Sequence, residues 1–138
     1  MAITYLYDKD VKSNSIRELF LSVNWLLGDK PEKLQRAFSH SDKVITAWDG
    51  EKLVGLINSI DDGSLTAYIP YLLVNPDYQK QGVGKALVRM IISEYESYER
   101  IVLLTEKDTV DFYKKCGFVE SPSIHSMIFP QQKKASHT

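Results

Sequence analysis

The chain has 138 residues, 43% of them apolar and 25% charged, with a formal net charge of −1. That length suits one domain with its own core, and the composition argues against wholesale disorder and against a disulfide scaffold. The near-neutral charge, carried by Lys and Arg residues scattered along the chain, gives no electrostatic pull toward nucleic acid.

The opening Met1-Ala2-Ile3-Thr4-Tyr5 lacks the basic start and long apolar stretch of a secretory signal, and no apolar run approaches the ~20 residues of a membrane span, so a cytoplasmic protein is expected. Ile3 to Tyr7 alternates as a short strand. Ser13 or Asn14 then offers an N-cap to a helix with Ile16, Leu19, Phe20, Val23 and Leu27 on one face. Pro31 suits the first turn of a second helix reaching about Phe38, its inner face formed by Leu34, Ala37 and Phe38. Val44 to Trp48 and Leu53 to Ile60 flank Asp49-Gly50, a strong hairpin signal. A second turn at Asp61-Asp62-Gly63 leads into Thr66 to Val74. These three runs predict an antiparallel meander, disturbed where Pro70 has no amide to donate.

After Asn75-Pro76 comes a glycine-containing loop and an amphipathic helix with Val83, Ala86, Leu87, Met90 and Ile91 on its repeat. Ile101 to Thr105 reads as a short buried strand, so the helix before it is a crossover between parallel strands. Asp108 is positioned to cap a last helix, Thr109 to Cys116, which ends at Gly117. Phe118-Val119 and Ile124 to Phe129 are read as closing strands. Residues 1–130 form one domain on this reading, and 131–138 a flexible tail.

The chemistry is concentrated in Leu72-Leu-Val-Asn-Pro-Asp-Tyr-Gln-Lys-Gln-Gly-Val-Gly-Lys-Ala-Leu87, a strand, a tight loop and the start of a helix. Free N–H groups at a helix N-terminus, aided by the helix dipole, form a ready site for phosphate oxygens, and Gly82 and Gly84 let a ligand approach the backbone. The plainer alternative is a turn that merely uses glycine. A Walker A loop fails, because Gln79 and Ala86 stand where Gly and Ser or Thr are needed. A dinucleotide fingerprint fails at Leu87.

Gln79-Lys80-Gln81-Gly82-Val83-Gly84 resembles the acetyl-CoA signature of the GNAT acetyltransferase superfamily, and Phe112-Tyr113-Lys114-Lys115-Cys116-Gly117-Phe118 is similar to that family's second block downstream. The resemblance implies a mixed, mainly antiparallel sheet of six to seven strands flanked by about four helices, an α/β (α+β) fold. It also implies transfer of acetyl from acetyl-CoA to a primary amine by direct attack. The main chain of Leu72, Leu73 and Val74 would pair with the pantetheine arm, and Gln79, Lys80, Gln81, Gly82, Val83, Gly84 and Lys85 would hold the diphosphate. Backbone amides near Leu73 would face the oxyanion. Tyr113 matches the family's acidic phenol, its other reading being an aromatic on the inner face of a short helix.

The base has no counterpart, since Leu65 to Asn75 contains no Asp, Glu or His. Asp61 and Asp62 are candidates through water, although an acidic pair in such a turn usually serves the turn; otherwise a water relay or an already neutral amine is required. His40, His125 and His137 are weak candidates. Cys116 reads as a small packed residue, and as a lone cysteine it fits a reducing compartment. Trp25 and Trp48 read as core or as walls of the acceptor pocket. No cluster has metal-ligand spacing, so no metal is expected. A small-molecule amine is the expected acceptor. The alternatives are a protein or peptide acceptor, or a non-catalytic acyl-CoA sensor. No nucleic-acid or membrane partner is expected, and pairing of two copies follows only from analogy.

Overall fold

The computed structural model describes residues 2–131 and holds six strands and four α-helices. In chain order these are β1 (Thr4–Tyr7), α1 (Ser13–Ser22), α2 (Pro31–Ser39), β2 (Lys43–Asp49), β3 (Lys52–Asp61), β4 (Thr66–Ile69), β5 (Leu72–Val74), α3 (Val83–Ser93), β6 (Arg100–Leu103) and α4 (Val110–Lys115). The sheet runs β1-β2-β3-β4-β6, and β5 also pairs with β3. Every pairing is antiparallel except β4 with β6, which the α3 crossover makes parallel. Among the described residues no helix is long and apolar enough to cross a membrane.

Strand β3 organises the molecule because it is buried on both faces from Leu53 to Ser59. Val54 and Ile57 face α3, packing with Ile45, Ala67, Leu87 and Ile91. Leu56 faces α1 and α2, packing with Ile16, Leu19, Phe20 and Phe38. Each such side chain stabilises the fold by about 1.5–3 kcal/mol through burial. Gly55 lets α3 approach closely: a Cβ there would meet Val83 Cγ1 at 3.1 Å and Leu87 Cδ1 at 3.2 Å.

Three sequence expectations change in detail. Helix α1 ends at Ser22 instead of continuing to Leu27, because Asn24 takes a left-handed φ of 62° and Trp25 N–H closes back on Phe20 O at 3.1 Å. Asn tolerates that conformation after a helix, and a short 3₁₀ turn then carries Leu27. Asp108 does not cap α4; it lies in a 3₁₀ turn, and Thr109 occupies the cap position.

The third change is larger: Phe118-Val119 and Ile124 to Phe129 form no strands. Phe118 is held near α4 by an N–H bond to Tyr113 O, after which the chain leaves the sheet. β-propensity describes a surface that packs well beside a neighbour, and among the described residues this segment has no strand partner. Of the expected tail, residues 132–138 lie outside the described residues.

Candidate active site

The site begins with a break in the sheet. One end of β3 pairs with β4 (Ile60 with Tyr68, Asp61 with Ala67), and the other end pairs with β5 (Gly55 with Val74, Leu56 with Leu73, Ile57 with Leu72). Between them lie Pro70, which has no N–H, and Tyr71. Asn58 bridges this gap. Its N–H donates to Tyr71 O at 3.2 Å, its Oδ1 accepts from Tyr71 N–H at 3.0 Å, and its Nδ2 donates to Ser41 Oγ at 3.1 Å. Ser41 Oγ donates in turn to Ala37 O at the end of α2, at 2.9 Å. A buried asparagine is therefore fully used, and the break is tied to the helix layer.

Since β6 pairs only with β4, the strands part beyond Ile69 and leave a slot between β5 and the end of β6. The slot opens into a cavity of about 780 Å³. Asn58 N–H donates to Tyr71 O and Asn75 N–H to Val54 O, so residues 71, 73 and 75 turn their main-chain groups toward β3. Leu72 and Val74 consequently turn theirs toward the slot. Of the backbone amides near Leu73, its own N–H is thus directed into the sheet, while that of Leu72 faces the slot.

The loop that follows is built by local hydrogen bonding. Asn75 Oδ1 accepts from Asp77 N–H at 2.9 Å, and Gln79 Nε2 donates to Val74 O at 3.1 Å, so that glutamine braces the strand end. Lys80 and Gly82 both take left-handed φ values, 65° and 83°. Left-handed residues set among right-handed ones are the backbone pattern of concave anion sites. Gly82 caps α3, and the first amides of that helix have no carbonyl partner within it. Lys80 and Lys85 line the same end of the cavity.

The two glycines do different work. A side chain on Gly82 would meet nothing within 4 Å, so its role is conformational. A Cβ on Gly84 would lie 3.2 Å from Phe112 Cζ, so its missing side chain is space already taken by a ring of α4. Gly82, Gly84, Gln79 and Lys85 reach the cavity along with Leu72, Leu73, Val74 and Lys80, but Gln81 and Val83 do not. Gln81 reaches back to Asp77 O, and the Val83 side chain is buried in the core.

Tyr113 lines the cavity from α4. Its ring packs edge-on against Phe112 and Phe118, at centroid separations of 5.1 and 5.8 Å. Burial, with a smaller contribution from neighbouring Cys116, pushes its phenol up to about 12. At neutral pH the phenol keeps its proton. Its hydroxyl has no hydrogen-bond partner among the described residues.

Asp61 and Asp62 lie away from this cavity. Burial acts to raise Asp61, but hydrogen bonds from Tyr95 OH, Gly63 N–H and Tyr98 OH, with Lys43 nearby, outweigh it and leave its pKa lowered. Asp62 is lowered by the N–H groups of Leu65, Ser64 and Thr66, the hydrogen bonding of a tight turn. The carboxylates that do line the cavity, among the described residues, are Glu106 and Asp108. Sequence reading missed them because parallel pairing with β4, not proximity in the chain, brings the end of β6 to the slot.

The remaining candidates separate clearly. Trp25 lines the cavity and packs against Phe20 and Tyr71, which also touches Phe38, so an aromatic wall rises beside the break. Trp48 donates to Thr46 Oγ1 away from the cavity. His40 sits exposed at the end of α2 with Nδ1 at 2.9 Å from Arg36 O, and His125 is exposed in the C-terminal segment. His137 lies outside the described residues. Burial raises the Cys116 thiol, which leaves it poorly nucleophilic.

Comparison with known proteins converges on this arrangement. The model of the acetyltransferase (GNAT) family matches residues 12–118. The protein named "Uncharacterized N-acetyltransferase ycf52" from Pyropia yezoensis is 30% identical over 122 residues, covering 83% of this chain and 69% of that one. GCN5-related N-acetyltransferase 2, chloroplastic, of Arabidopsis thaliana is 37% identical over 81 residues, covering 54% of this chain and 31% of that one. A GNAT family acetyltransferase from Streptococcus pneumoniae TIGR4 superposes with a TM-score of 0.83 at 30% identity, covering 96% of this chain and 100% of that structure.

Proposed function

Because the chain belongs to the acetyltransferase (GNAT) family, we propose that it transfers acetyl from acetyl-CoA to the primary amine of a small molecule by direct attack within a ternary complex. The observation that carries this reading is the slot between β5 and β6, which ends at the unpaired amides of α3 beside Lys80 and Lys85. Those groups suit a diphosphate. The slot-facing main chain of Leu72 and Val74 suits a pantetheine amide laid alongside as a partial strand.

The chemistry needs three things of the protein. As the amine nitrogen bonds the acetyl carbon and the carbon–sulfur bond breaks, the departing thiolate needs a proton, and Tyr113, neutral at physiological pH, is its donor. The Leu72 N–H is the donor for the negative carbonyl oxygen. The amine arrives largely protonated at a lysine-like pKa of ~10.4, so it loses a proton to water, with Glu106 or Asp108 as acceptor through that water.

Trp25 and Pro70, apolar and rigid, line the cavity beside the break and favour a compact acceptor. The proposed compartment is the cytoplasm, whose reducing conditions suit the single Cys116. Two copies are proposed to pair. Calorimetry with CoA and a thiol-release assay over a panel of free amines test the reading. Turnover on a free amine supports it, and turnover only on polypeptides moves the acceptor to protein. Tight binding without any acceptor leaves a sensor, while absence of CoA binding removes the whole proposal.

A further inference from the structure

Strands β4 and β5 lie along the same edge of β3 in different registers. Ile60 stands opposite Tyr68 and Ile57 opposite Leu72, so two residues of β3 face three of the β4–β5 stretch. The extra residue makes a bulge, and it reverses which groups point where. In β4 the even-numbered positions turn their main chain toward β3, as Asp62 N–H donating to Thr66 O at 3.2 Å shows. In β5 the odd-numbered positions do so. Leu72 has a slot-facing N–H only because the bulge precedes it.

Asn58 closes that bulge from inside the sheet. In the register of β4 it would stand opposite Pro70, which has no N–H, and in that of β5 it stands opposite Tyr71. A regular pair of this kind exchanges two main-chain hydrogen bonds. Here Asn58 N–H still donates to Tyr71 O at 3.2 Å, but Tyr71 N–H donates to the side-chain Oδ1 at 3.0 Å. One residue therefore holds Tyr71 by both of its main-chain groups. The peptide joining Tyr71 to Leu72 is planar and trans, so a carbonyl fixed toward β3 sends the Leu72 N–H the opposite way, into the slot.

The orientation of the side-chain amide is set by its other neighbour. Ser41 Oγ gives its only proton to Ala37 O at 2.9 Å, so toward Asn58 it can only accept, and Nδ2 faces it at 3.1 Å. Oδ1 is then left for Tyr71. Asn58 is 2% exposed and Ser41 3%, and neither lines the cavity. Core packing alone has no need of an amide here, since an apolar side chain is buried without requiring partners.

We propose that Asn58 is a positioning residue for acyl transfer: it holds the bulge so that the Leu72 N–H meets the developing oxyanion, while Ser41 keeps its amide the right way round. The inference rests on the oxyanion role given to Leu72 above and adds to it a residue that touches neither substrate.

The test separates kcat from acetyl-CoA affinity and reads the carbonyl directly. Asn58→Leu, of similar size but without an acceptor, should lower kcat about tenfold, less than the roughly hundredfold that goes with outright loss of an oxyanion donor. Its acetyl-CoA Kd should not change, because the diphosphate is held at α3. Acetyl-CoA isotope-labelled at its carbonyl carbon should show a C=O stretch lowered from its solution frequency when bound to the natural chain, and returned toward it in Asn58→Leu. Ser41→Ala, a milder change that lets the amide turn, should move kcat and frequency in the same direction by less, and it decides the matter if Asn58→Leu does not fold. The natural frequency in both variants overturns the proposal. So does a fall in kcat matched by an equal loss of acetyl-CoA affinity, which is what a merely structural residue gives. A natural chain that binds acetyl-CoA without lowering the frequency overturns the Leu72 assignment as well, and one that binds no acetyl-CoA removes acyl transfer itself.

Discussion

The two sides of the slot are built from different materials. The side from Leu72 to Lys85 offers main-chain groups: turned-out amides on β5, left-handed Lys80 and Gly82, and the open start of α3. The side at Trp25 offers side-chain surface, its indole backed around the break in the sheet by Phe20 and Tyr71, with buried Phe38 behind them. Backbone recognition demands particular conformations and therefore particular residues, glycine above all. Side-chain recognition demands only a shape, which many sequences can supply.

Tyr113→Phe should break the contrast most severely, because it removes the proposed proton donor, which lines the same cavity. Turnover should fall about 100-fold with CoA affinity unchanged by calorimetry, the low end of what general acids contribute. The natural enzyme should show no alkaline loss of rate from this group until pH approaches the phenol's value of about 12. The sign for stability is the same. The fold favours the neutral phenol, so this contribution is full below the ordinary value of 10.0 and is lost as pH rises toward about 12, which alkaline unfolding of natural and Phe chains would reveal.

Trp25→Ala sharpens the comparison from the acceptor side. It should raise the amine KM roughly tenfold, the value of a partly buried aromatic contact, and leave the acetyl-CoA KM in place. Gly82→Ala is its mirror image. A Cβ at a φ of 83° costs about 1 kcal/mol, so the acetyl-CoA KM should rise about fivefold and the amine KM should not change. If either substitution moves both constants equally, the division of labour is wrong. Asp62→Ala sets the floor: it should lower the urea midpoint slightly with neither KM altered, since its carboxylate accepts the amides of the turn after β3.

The same division explains what could be read from the chain. The family and the main-chain side of the slot were legible because the spacing of Gly82, Gly84 and Gly117 reflects backbone geometry, and because Pro70 must interrupt a ladder. The direction of the Leu73 amide was not, since the parity of a strand depends on its partner. Glu106 and Asp108 were missed because only the folded sheet carries the end of β6 to the cavity. Val23 and Leu27 share a helical spacing with Ile16 and Phe20, yet Asn24 turns the chain between them. Ile124 to Phe129 have the composition of a strand yet form none among the described residues, because pairing is a property of two segments.

Gly55 has a reach that its place in mid-strand conceals. With only a hydrogen at that position, α3 settles onto β3 until Val83 and Leu87 touch the strand's backbone, and the helix carries its open amides down with it. The floor of the proposed diphosphate site is therefore levelled from the middle of β3, by a residue outside the cavity lining. A single methyl group at position 55 would crowd Val83 and Leu87 and tilt that floor while every residue lining the cavity stayed the same.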